Sequence, residues 1–173
     1  MPHPAAGDAN GSPWSDPSID SASDLGNERG GARTYMPAPD FLDTNVLVYA
    51  YDATDPAKQN IAQDIVRRAV AGEVVTSTQV LAEFAATLLH KLSPAARPAD
   101  VLAILDALGP IKAIPPDGDT VRRAVEAHAQ YGVHFYDGMV LAAAEHGVCA
   151  RIISEDFNAG QSYFGIKVEN PFA

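Results

Sequence analysis

Short apolar segments alternate with longer stretches of helical periodicity along most of this chain, and that order restricts the fold more than any other feature. The apolar segments are FLD around Phe41, EVVT at 73–76, IKAIPP at 111–116, ARIIS at 150–154 and GIKVENP at 165–171. Strands separated by helices cannot pair as simple hairpins. Each crossover brings the chain back to lay the next strand parallel to its neighbours. The pattern predicts an α/β domain with a mainly parallel central sheet flanked by helices.

Between these segments the helices are readable from their spacing. DPAKQNIAQDIVRRAVAG repeats Ile61, Ile65 and Ala69, with Ala62 and Val66, as an apolar stripe that ends at Gly72. Thr76-Ser-Thr-Gln79 matches a capping box with Thr76 as N-cap. Val80, Leu81, Phe84, Ala85, Leu88 and Leu92 form the core stripe of the helix that follows, and Gln79, Glu83, Thr87 and His90 form a separate polar line. SPAARPADVLAILDALG, the segment from Thr120 to Tyr131 and HFYDGMVLAAAEHG read as three more helices. In the second of these Val121, Ala124 and Val125 are the expected apolar face. His128 falls next on it, as a half-buried, hydrogen-bonded side chain.

Four acids interrupt apolar surroundings: Asp43 in FLDTNVL, Glu83 in QVLAEFAATLL, Asp137 in HFYDGMVLAAA and Asp156 in RIISEDFN. A carboxylate in such a place is costly unless its charge is compensated. Ligands of open α/β sheets gather beyond the carboxyl ends of the strands. Asp43 and Asp156 each follow a predicted strand and so face the same edge. Together the four predict a pocket that holds a hard divalent cation through carboxylate oxygens. Taken singly, Asp43 also reads as a turn residue, Asp137 as an acid at a helix start, and Asp156 as a loop acid with Glu155 equally eligible.

Composition bounds the rest. Residues 1–37 are rich in Gly, Ser, Pro, Asp and Ala and read as a disordered N-terminal extension. Met36 at its end is a candidate natural start. The ordered domain is expected over residues 38–173. No secretory signal or membrane-spanning run is recognisable. The single Cys149 excludes an intrachain disulfide and reads as a buried thiol, as expected of a cytoplasmic protein. A net charge of −10 argues against a broad basic face for nucleic acid, and Arg67-Arg68 and Arg122-Arg123 read as solvated. No phosphate-binding Gly loop, zinc spacing or nucleophile elbow is present.

DTNVLVYAYD, STQVLAEF, FYDGMVLAAA and SEDFNAGQ followed by GIKVENPF, in this order and spacing, resemble the PIN domain, and in detail the VapC-type toxins of bacterial toxin–antitoxin systems. The resemblance covers residues 38–173. It implies a PIN-like three-layer sandwich and a Mg²⁺- or Mn²⁺-dependent endoribonuclease. Its metal-binding and catalytic acids would be Asp43, Glu83, Asp137 and Asp156, with Thr44, Asn45 and Ser77 orienting ligands or substrate. It also implies an RNA substrate, a small antitoxin and a homodimer. Gly138 departs from the Ala usual after the third Asp and is expected to loosen its helix. His134 stands where a small polar residue is common. It is read as a loop side chain, with bonding to the helix start or an approach to substrate as alternatives. A non-catalytic module of the same fold and a PIN nuclease without an antitoxin remain competing functions.

Overall fold

The computed structural model describes residues 37–92 and 94–173. The expected extension over residues 1–37 and the candidate start at Met36 lie, but for Pro37, outside them. In chain order the elements are β1 (Asp40–Leu42), α1 (Thr44–Tyr51), α2 (Pro56–Val70), β2 (Val74–Ser77), α3 (Thr78–His90), α4 (Pro98–Leu108), β3 (Ala113–Ile114), α5 (Gly118–Tyr131), α6 (Phe135–His146), β4 (Arg151–Ile153), β5 (Ser162–Tyr163) and β6 (Ile166–Glu169). The strands form one sheet in the order β3-β2-β1-β4-β6-β5, parallel except for the β5–β6 pair.

Strand β1 lies near the centre, with Phe41 opposite Val75 on one side and Ile152 on the other. Phe41, Leu42, Val74 and Ile152 are fully buried, which is why these strands read as unbroken apolar runs. The chain steps from β1 through β2 to β3 in one direction, then returns to β4. Right-handed crossovers therefore lay α1 to α4 on one face and α5 and α6 on the other.

The helix starts are set by side-chain caps. Asp55 accepts from the Ala57 and Lys58 amides ahead of Pro56 in α2, and Asp117 forms a reciprocal capping box with Thr120 in α5. The expected box at α3 is corrected. Ser77 is the N-cap, accepting from the Val80 amide, while Thr76 remains in β2 and donates to the Leu42 carbonyl. Gln79 is thereby free to bond elsewhere.

Helix α5 buries Thr120, Ala124 and Ala127, and Val121 and Val125 face outward. The small residues face inward because α5 presses closely on α6. A Cβ at Gly138 would lie 2.7 Å from the Ala124 carbonyl oxygen. Gly138 thus permits a tight crossing of the two helices, a role its sequence position did not reveal. His128, expected half-buried, is exposed and bonds the Val133 carbonyl through Nδ1. His134 caps α6, accepting from the Tyr136 amide.

Two expected surface arginines are ties. Arg123 binds Glu145 and Glu126 and lies 3.5 Å over the Phe164 ring. Arg68 reaches Glu73 and Asp40. Cys149 is buried, and burial pushes its thiol up to about 12. No described helix is long and apolar enough to cross a membrane.

Candidate active site

Leu42 ends the central strand, so the next residue, Asp43, emerges at the carboxyl edge of the sheet. It serves as the N-cap of α1, accepting from the Thr44 amide at 2.7 Å. Ser154, the first residue after β4, donates its hydroxyl to Asp43 Oδ2 at 2.6 Å. Asn45 donates its amide to the same oxygen at 3.1 Å and to Asp156 Oδ2 at 3.0 Å. The Asp156 amide returns a bond to Ser154 Oγ. Asp43, Asn45, Ser154 and Asp156 therefore form one network spanning β1, α1 and the loop after β4.

Glu83 approaches from α3. Thr44 Oγ1 donates to one of its oxygens at 3.1 Å and Gln79 Nε2 to the other at 2.8 Å. The same Gln79 amide reaches the Tyr136 carbonyl at 3.2 Å, tying α3 to the first turn of α6. Asp137 is the next residue on that turn and is half-buried. Thr44, Asn45, Glu83 and Asp156 line a cleft of about 500 Å³ with Tyr49, Thr87 and Lys91.

Burial bears heavily on Asp43. It is only 6% exposed, and burial raises its carboxyl to about 6 despite the bonds from Ser154 and Thr44; Asp156 and Glu83 add repulsion. Asp137 is also raised, first by burial and then by Asp156 and Glu83, against the opposing influence of His134. None of the ion pairs among the described residues involves Asp43, Glu83, Asp137 or Asp156.

The opposite end of β1 supplies a contrast. Asp40 is 5% exposed, but Arg151 holds it with two bonds, at 3.0 and 2.7 Å, and Arg68 lies at 3.4 Å. One buried aspartate has two cations; among the described residues the other has none.

The acids do not close on a common point. Among the described residues no three His, Cys, Asp or Glu side chains converge tightly enough to clasp an ion as they stand. Neutral donors separate them: Asn45 stands between Asp43 and Asp156, and Thr44 between Asp43 and Glu83. Such spacing relieves like-charge repulsion. The donor set, all carboxylate oxygen with an uncompensated buried member, fits a hard divalent ion.

Glu155 and Asp156 are no longer equivalent. Glu155 also lines the cleft but is held by Lys58 and Tyr49. Its partial burial raises its pKa, but those two partners outweigh that and hold the carboxyl below its ordinary range. Ser77 is 2% exposed and caps α3. It fixes the helix that carries Glu83 and has no surface to offer a substrate. Sequence reasoning missed Ser154 and the bridging role of Gln79. The position of Ser154, directly after an apolar strand neighbouring β1, was the available signal.

A family model described as PIN domain matches residues 41–161. The chain belongs to the PIN-domain family. The fold is similar to FitAcB from Neisseria gonorrhoeae, at 16% identity and a TM-score of 0.55 over 77% of this chain and 98% of that one. It is also similar to VapBC2 from Rickettsia felis bound to a promoter DNA fragment, at 18% identity and 0.53 over 76% and 97%. A third similar structure is Mycobacterium tuberculosis VapC20, a sarcin-ricin loop cleaving toxin, at 21% identity and 0.51 over 65% and 86%. No curated protein matches the sequence. This PIN domain thus carries its four predicted acids at or beside the carboxyl edge of the sheet.

Proposed function

We propose that this PIN-domain protein is a Mg²⁺- or Mn²⁺-dependent endoribonuclease, the toxin of a toxin–antitoxin pair. The observation that carries the reading is Asp43: a buried carboxylate with no cation among the described residues, repelled by Asp156 and Glu83, the same two acids that act on Asp137, at the edge of a PIN fold. Asp43 and Asp137 would be the principal metal ligands, Asp156 and Glu83 completing the set. A bound divalent ion supplies a more acidic water and neutralises charge at the phosphoryl group.

The chain's own residues provide the positioning. Asn45 sets the separation of Asp43 and Asp156, Ser154 stabilises the ionised form of Asp43, and Thr44 with Gln79 orients Glu83. Likeness to the solved VapC20 toxin and to VapBC2 supports the toxin assignment. The reading includes a small antitoxin that inserts basic side chains into the acidic cleft, a homodimer and a cytoplasmic location.

The test is incubation of the purified protein with mixed cellular RNA and Mg²⁺ or Mn²⁺, with EDTA and Asp43→Asn as controls. Discrete fragments are expected only with wild-type protein and metal. Full activity in folded Asp43→Asn would refute the assignment.

A further inference from the structure

Tyr136 directly precedes the candidate ligand Asp137 in the first turn of α6. It is 58% exposed, and among the described residues it is the one aromatic in a set of exposed large side chains that is otherwise aliphatic. Its ring neighbours His134, also exposed, at 5.7 Å and a tilt of 32°. Phe135 braces it edge-on at 5.5 Å.

The backbone beneath the ring is fixed. The Tyr136 amide donates to His134 Nδ1, and its carbonyl accepts from Gln79, whose amide also holds Glu83. Asp137 is the next residue. The backbone that carries the ring is therefore tied to two of the candidate metal-binding acids, while more than half of the residue stays exposed.

We infer that Tyr136, flanked by His134, is a stacking platform for a nucleobase of single-stranded RNA next to the scissile phosphate. This inference rests on the ribonuclease reading and extends it to how substrate is held. A chain of net charge −10 cannot draw much affinity from phosphate contacts. Stacking of bases on aromatic rings is the other main source of affinity for single strands, and it is indifferent to backbone charge. Duplex RNA hides its base faces, so such a platform also selects unpaired segments.

The experiment compares wild type, Tyr136→Ala and Tyr136→Phe in the full chain. Binding of a fluorescein-labelled single-stranded oligoribonucleotide is measured by anisotropy in an Asp43→Asn background, with the same sequence as a duplex for comparison. KM and kcat are measured in the active background, and mass by light scattering in both.

Tyr136→Ala is expected to weaken single-strand binding roughly 5- to 100-fold and to raise KM with kcat nearly kept. Tyr136→Phe should behave as wild type, and the duplex should bind weakly to all. Equal affinity and KM for Tyr136→Ala would overturn the platform. So would a change in oligomeric mass, which would make the ring part of a protein interface. Failure of the ribonuclease reading looks different: metal-loaded wild type would leave RNA as intact as Asp43→Asn does. The binding arm would still judge the platform.

Discussion

Replacing Asp43 by Asn should stabilise the metal-free domain at alkaline pH, although it removes a hydrogen-bonded helix cap. The carboxyl is raised from an ordinary value of 3.8 to about 6. A raised carboxyl means that the folded state holds the proton more tightly than the unfolded chain. The resulting penalty is absent below pH 3.8, grows through the interval and is complete above about 6. At full size it is about 3 kcal/mol. Asn is neutral but offers one acceptor oxygen where Asp43 takes bonds from Thr44, Ser154 and Asn45. Losing one or two of those bonds costs about 1 kcal/mol each. The net gain at pH 8 is then about 1–2 kcal/mol, and by pH 5 it shrinks by a further 1.4 kcal/mol or so. Urea unfolding of both proteins in EDTA at pH 5 and pH 8 measures this directly. Adding Mg²⁺ or Mn²⁺ at pH 8 should reverse the order, because ligand at 100 times Kd stabilises wild type by about 2.7 kcal/mol. A difference between the two proteins that is the same at both pH values would refute the argument from burial.

Two other changes probe the frame around the site. Ser154→Ala removes a donor that favours ionised Asp43, so metal-free stability at pH 8 should fall by about 1–3 kcal/mol, with less loss near pH 4, as read by urea unfolding. Gly138→Ala places a methyl 2.7 Å from the Ala124 carbonyl. The helical gain of about 1 kcal/mol should be outweighed by overpacking of about 1–3 kcal/mol, and a lower Tm with weaker metal binding is expected, since α6 carries Asp137.

The order of strands and helices was legible because most strands are buried on both faces and most helices carry an amphipathic stripe. Errors fell where small or strained residues carry the packing. On helix α5 the expected face is right at Ala124 but rotated toward Val121 and Val125, which give a strong hydrophobic signal yet face outward, whereas the buried Ala127 gives a weak one. The reason for that face lies on another helix, at Gly138. The β5–β6 hairpin escaped because its two-residue turn is Phe164-Gly165, both at positive φ. Such turns favour Asn-Gly, and Phe is an uncommon first residue. Its ring is held there by Arg123 and Tyr131.

The candidate site divides along the same line. An acid beside an apolar run can be picked out from one sequence, but the identity of its partner cannot. Asp40 and Asp43 flank the same two apolar residues, Phe41 and Leu42, and both become buried. The register that sets Asp40 opposite Arg151 gives it a guanidinium. Three residues on, the chain has left the sheet, and the donors around Asp43 are a hydroxyl, an amide side chain and a backbone N–H, none of them charged. Burial with compensation makes a structural ion pair. Burial without it leaves a carboxylate whose charge only a proton or an ion from solution can cancel. The difference lies in which strand end each acid occupies.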